Sequence, residues 1–155
     1  MEKRYRGDKK EMRALNTYVK LMRAAESMTA RIHRHLSSAG LTVSQFGVLE
    51  ALYHLGPLSQ TDIGQKILRS SGNITMVIDN LEKRGLVRRE RDMTDRRFFI
   101  IHLTDEGNKL ISKIFPPHAA VILNEMSVLT AAEQETLANL CKKLGLRGEN
   151  YQRVP

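Results

Sequence analysis

The sequence predicts a mainly α-helical fold carrying one small β-hairpin, and three observations predict it. Apolar residues recur at helical spacing along most of the chain. Glycines, prolines and N-capping residues cut that pattern into separate helices. One stretch after Gly85 changes period, becoming rich in β-formers and charge on both sides of a polar turn.

From about residue 9 to 38, Met12, Leu15, Val19, Met22, Met28, Ile32 and Leu36 fall close to the 3.6-residue repeat, which predicts one long amphipathic helix ended by Gly40. In LTVSQFGVLEALYHLGP, Thr42 and Gln45 have the spacing of a capping box and Leu41 and Phe46 that of a hydrophobic staple. Gly56 and Pro57 stop this second helix. A third follows at once, with Ser59 as its cap, Asp62 three residues on and a Leu58–Ile63 staple, ending near Leu68. A fourth begins at Ser70 or Ser71 and runs to Gly85, burying Ile74, Val77, Ile78 and Leu81, with Lys83 and Arg84 suited to its C-terminal dipole.

LVRRER and RFFIIHL then read as a two-stranded hairpin joined through DMTD. Three short helices followed by such a hairpin make a winged helix-turn-helix. Thr104, with Asp105 and Glu106 behind it, opens another helix, which Pro116 and Pro117 should kink or break. Thr130 and Glu133 cap a last helix with the stripe Leu137, Leu140, Cys141 and Leu144. The chain of 155 residues is therefore expected to form a single domain, with helices at both ends lying outside the winged core.

With 25 Lys and Arg against 17 Asp and Glu, the formal charge of +8 favours a polyanionic partner, without naming it. The single cysteine, Cys141, leaves no intrachain disulfide and fits a reducing compartment. The N-terminus has no apolar h-region and no long apolar run follows, so the expected location is cytoplasmic, without a membrane.

The stretch from Leu41 to Gly107 resembles the core of the MarR family of transcriptional regulators, strongly over roughly residues 41 to 115 and only in helix length and amphipathicity outside them. The specific part is an order: a Ser-rich helix start, then Leu81, Gly85 and Leu86, then Arg88, Asp95, Arg96 and Arg97, then Leu103 and Thr104. The resemblance implies a winged helix-turn-helix lobe near residues 41–115, flanked by dimerisation helices near 9–38 and 117–146.

The face of the fourth helix opposite its buried stripe presents Ser71, Asn73, Thr75, Met76 and Asp79, with Ser70 beside them at the helix start. Hydroxyls and backbone N–H groups there suit phosphate, while Asn73 and Thr75 suit base edges in a major groove. The plain structural alternative is an N-cap followed by a solvated face. Arg88, Arg89, Arg91, Arg96 and Arg97 crowd the short ribbon, and like charges at that density call for an anion. The resemblance makes this ribbon the wing, with Asp95 pairing an arginine, Arg97 entering the minor groove and Arg96 on phosphate. A solvated turn with a local salt bridge is the competing reading.

The long N-terminal stripe has more apolar surface than a monomer covers, and a two-fold dimer would set two recognition helices roughly 34 Å apart, so a homodimer on double-stranded DNA is expected. MarR-type regulators commonly release DNA when a phenolic or other small anionic effector enters a cleft beside the dimer helices. Tyr18, Met22, Met28, His33, Phe46, Tyr53, Phe115 and His118 are the residues that could line one here, although such a stripe also serves as core. The reactive cysteine that peroxide sensors of the family carry near the start of the first helix is absent, and Cys141 is expected to pack. His33 with His35, or His118 with Glu125, do not make a metal set, and no cofactor is expected. No nucleotide loop, nucleophile elbow or zincin motif points to an enzyme. The remaining rival is a winged-helix module that binds proteins, which has little use for five arginines around a hairpin.

Overall fold

The computed structural model describes residues 5–67 and 74–146. The chain forms two compact units, residues 1–118 and 119–155.

The first unit begins with α1 (Lys9–His33), which a capping box between Asp8 and Glu11 opens. The predicted long N-terminal helix is thus shorter as an α-helix. Its last stretch, Arg34–Ala39, tightens into a 3-10 turn that buries Leu36 and ends on Gly40 in the left-handed region at φ 68°. Helix α2 (Val43–Leu55) starts from the expected Thr42–Gln45 box and buries Phe46, Val48, Leu49 and Leu52. Strand β1 (Leu58–Ser59) leads into α3 (Gln60–Lys66), whose cap is Ser59. Helix α4 (Ile74–Lys83) buries Ile78 and Leu81, with Ile74 and Val77 packed partly buried against the same core. The start of this helix at Ser70 or Ser71 lies outside the described residues.

Strands β2 (Val87–Arg91) and β3 (Phe99–Leu103) pair antiparallel from Val87↔Leu103 to Arg91↔Phe99. The expected two-stranded hairpin is in fact part of a three-stranded sheet in the order β1-β3-β2. Leu58 pairs with Ile101, and Ser59 with Ile100. The sequence stretch around Leu58 is too short to show a period of two, so this strand exists only through its distant partner. Ile101, fully buried, sits at the centre of the sheet and of a core formed with Leu49, Ile63, Ile78, Leu81 and Ile111.

Helix α5 (Asp105–Met126) opens in the first unit and ends in the second. Pro116 and Pro117 do not break it. They remove two N–H donors, but both lie exposed, and buried Ile111, Ile114 and His118 bracket them on the packed face. Its first turn is held by Thr104, whose hydroxyl donates to the carbonyl of Gly85 at 2.6 Å and accepts from the N–H of Gly107 at 3.0 Å. That one hydroxyl ties the end of the sheet to the corner after α4. Thr104→Ala should therefore cost about 1–2 kcal/mol, read as a shifted urea midpoint with an unchanged slope.

The second unit contains α6 (Ala131–Gly145), opened by the predicted Thr130–Glu133 box. None of its described residues is buried: Leu137, Leu140 and Leu144 are exposed, and Cys141 is exposed rather than packed. Among the described residues no helix is long and apolar enough to cross a membrane.

Candidate nucleic-acid interface

Helices α3 and α4 form the helix-turn-helix, and Gln60 at the start of α3 donates to the Thr75 hydroxyl at the start of α4 at 2.7 Å. Thr75 and Met76 stand exposed on α4. Ser70, Ser71 and Asn73 lie outside the described residues.

Asp79, one turn further along α4, is half-exposed. Its carboxylate pairs with Arg89 of β2, which also donates to Glu82 at 3.1 Å through both its guanidinium and its backbone N–H. The pair joins α4 to the sheet while leaving the Asp79 side chain 44% exposed.

Local carboxylates also answer much of the arginine crowding on the hairpin. Arg88 pairs with Glu90 at 2.9 Å, and the Nε2 of His102 stands 3.1 Å from the same carboxylate. The hydrogen bond from Arg88, and then its charge, hold the Glu90 carboxyl below its ordinary range. Arg91 donates to the carbonyl of Arg96 at 2.8 Å and lies over the Phe99 ring at 5.0 Å. Arg88 and Arg91 thus have structural partners in addition to whatever they meet outside the chain.

The tip between β2 and β3 is tightly organised. Asp92 accepts from the Thr94 N–H at 2.7 Å, the Thr94 hydroxyl at 2.6 Å and the Asp95 N–H at 3.3 Å, an Asx turn whose donors lower the Asp92 pKa. Asp95 then grips Arg97 through three bonds, from its backbone N–H at 3.1 Å and its guanidinium at 3.1 and 2.9 Å. Those bonds hold the Asp95 carboxyl below its usual range. The expected acid–arginine pair is therefore present, and its arginine is Arg97. The Arg97 side chain nevertheless remains 85% exposed, so its charge is directed rather than hidden. Arg96 is exposed beside it, as are Met93 and Phe98. Sequence reasoning passed over Asp92 and Gln60. The Asp-x-Thr spacing signals the first, whereas nothing local signals the second.

A cavity of about 850 Å³ lies within the first unit, between α1, α2 and α3. Of the expected cleft residues it gathers Met22, His33 and Phe46. Tyr18, Met28, Tyr53, Phe115 and His118 do not line it. Tyr18 and Tyr53 stand exposed, Phe115 packs edge-on to His54 with ring centroids 4.6 Å apart, and His118 is buried in the core. The polar groups that do line it include Glu50, His54 and Lys66, and burial raises the Glu50 carboxyl above its ordinary range. Among the described residues no group of three or more His, Cys, Asp or Glu is placed to hold a metal ion.

The family model of the MarR family matches residues 41–98, from the 3-10 turn's exit to the wing tip. The chain is 41% identical over 138 residues to the HTH-type transcriptional regulator YkoM of Bacillus subtilis, covering 89% of this chain and 90% of that one. This chain belongs to the MarR family. It is also 38% identical to the HTH-type transcriptional regulator MhqR of Bacillus subtilis, covering 90% of this chain and 96% of that one. Among solved structures it resembles BpsR of Bordetella bronchiseptica, whose DNA binding is regulated by 6-hydroxynicotinic acid, with a TM-score of 0.74, 26% identity and coverage of 83% of this chain and 98% of that one. As a MarR-family winged-helix chain it is a DNA-binding transcriptional regulator. In that fold α4 is the second helix of the helix-turn-helix and the Asp92–Phe98 tip is the turn of the winged hairpin.

Proposed function

We propose that the chain is a sequence-specific, double-stranded-DNA-binding repressor that works as a homodimer on a pseudo-palindromic operator in the cytoplasm and is released by a small aromatic or anionic effector. One observation carries the DNA part: the wing tip is pre-folded by Asp92 and Asp95 so that Arg96 and Arg97 project together from a rigid loop. A loop whose carboxylates are used to aim exposed cations is suited to a fixed anionic surface. Arg97 enters the minor groove and Arg96 meets phosphate, while Ser70, Ser71, Asn73, Thr75 and Met76 face the major groove. Arg88 and Arg91 brace the wing.

The chain acts as one MarR-type domain, residues 41–115 forming the DNA-binding lobe and residues near 9–38 and 117–146 the dimerisation region. The exposed stripes of α1 (Met12, Leu15, Val19, Met22) and of α6 (Leu137, Leu140, Leu144) support an assembly that covers each of them. The cavity supports the effector: its volume lies in the range of about 300–1,000 Å³ usual for small-molecule sites, and the regulation of BpsR by 6-hydroxynicotinic acid supports a small aromatic ligand. Occupancy would shift the population toward a dimer spacing that DNA does not accept.

Selection from a random duplex pool tests this reading. An inverted-repeat consensus bound by two protomers is expected. An unenriched pool, together with capture of a protein partner by the wing surface, would favour the protein-binding module instead.

A further inference from the structure

The cavity between α1, α2 and α3 is acidic inside a strongly basic chain. Glu26 of α1 and Glu50 of α2 both line it, and Lys66 at the end of α3 is the one permanent cation among the described residues that do. No arginine is among them, although the chain carries a formal charge of +8. With the imidazoles of His33 and His54 neutral, two carboxylates against one ammonium leave one negative charge in excess. Neither carboxylate is held in an ion pair by a lysine or arginine among the described residues. Much of the remaining wall is apolar, built by Met22, Val43, Phe46, Leu55 and Ile67.

That combination is selective about charge. Glu50 is half-buried, and burial is the larger influence on its carboxyl, raising it above its ordinary range, while His54 one turn along the same helix opposes the rise. A carboxylate drawn partly out of water without a permanent cation beside it carries a desolvation cost that the chain does not recover. A cation delivered from outside offsets that cost, whereas an anion delivered to the same place adds to it. The apolar wall decides the rest of the ligand, since a flat ring buries well against aliphatic, thioether and phenyl groups.

We propose that the cavity takes an aromatic cation, a ring bearing an amidinium or ammonium group whose N–H donors meet Glu50, and that it discriminates against aromatic carboxylates of the same shape. The inference rests on the reading of this cavity as the effector site and narrows the effector to one charge class. Glu50 is the specificity-determining residue. It follows Leu49, which is fully buried in the core of the winged lobe, so the ligand's polar end is met by a rigid wall. Glu26 adds to the attraction from the opposite element, and Lys66 works against it.

Benzamidine and benzoate test the charge class without DNA, because they share a planar outline and differ in sign. Isothermal titration of the full chain with each should give benzamidine the tighter binding by about tenfold or more. Glu50→Gln keeps the size of the side chain and should reduce that preference about fivefold or more. Glu26→Gln, at an exposed position, should reduce it by less, and Lys66→Met should tighten benzamidine binding instead. Should Glu50→Gln fail to fold, the other two variants still decide, since they shift the affinity in opposite directions. Benzoate bound as tightly as benzamidine would overturn the charge class while leaving the cavity as an effector site. A preference for benzamidine that none of the three variants moves would place the ligand elsewhere and overturn the proposal. Binding of neither probe, nor of the larger naphthamidine and naphthoate, would overturn the effector reading of the cavity together with it.

Discussion

Replacing Gly107 with alanine is expected to lower stability by about 3 kcal/mol or more and Tm by about 10 °C. A Cβ on Gly107 would lie 1.9 Å from the carbonyl oxygen of Leu86, 2.9 Å from its carbonyl carbon and 3.2 Å from Leu103 Cδ2. The first two obstacles are backbone, so no side-chain rotation relieves the overlap. The carbonyl in question is not free to move, because it accepts from the Thr104 N–H at 3.1 Å. Alanine must therefore lever the first turn of α5 off the entry to β2, and the wing is mounted on that strand. Gly64→Ala provides the contrast: an added Cβ meets nothing within 4 Å in α3, and a gain of about 0.5–1 kcal/mol is expected. Equilibrium denaturation of both variants reads the difference. Equal stability of Gly107→Ala and the wild type would mean that α5 does not dock on Leu86.

The second large effect is on DNA affinity. Arg96→Ala with Arg97→Ala should weaken operator binding about a hundredfold and reduce the salt slope by about 2, at unchanged Tm. Both side chains are exposed, and Arg97's partner Asp95 sits on the same loop, so little packing is lost with them. The loss should be similar for operator and unrelated duplex, since a minor-groove or phosphate-bound arginine reads shape and charge more than base identity. Full affinity in the double variant would return the wing to the status of a solvated turn.

What could be read from the sequence was what is decided locally. The boxes at Thr42–Gln45 and Thr130–Glu133 and the cap at Ser59 each span only four consecutive residues, and all three formed. The Asp95–Arg97 grip has the same character, spanning two positions of one loop. Contacts made by topology stayed hidden. Leu58 becomes a strand because Ile101 arrives beside it, and Asp79 acquires an ion pair because Arg89 on β2 reaches it. The prolines misled for a related reason: the local cost of two missing donors was legible, but not the packing of Ile114 and His118 that keeps α5 continuous. Helical spacing likewise put Met22 and His33 on one face of α1 without saying which neighbours complete the cavity, so Glu50, His54 and Lys66 were overlooked.

The central claim is that this regulator holds a particular duplex through many phosphates at once. Fluorescence anisotropy with duplex DNA from immediately upstream of its own gene, beside a scrambled duplex, tests it most directly when titrated from about 50 to about 200 mM salt. The account predicts saturable binding by two protomers, preference over the scrambled control and a loss of about a thousandfold or more across that range. Weak binding without preference at either salt, followed by no enrichment from random DNA, would contradict it.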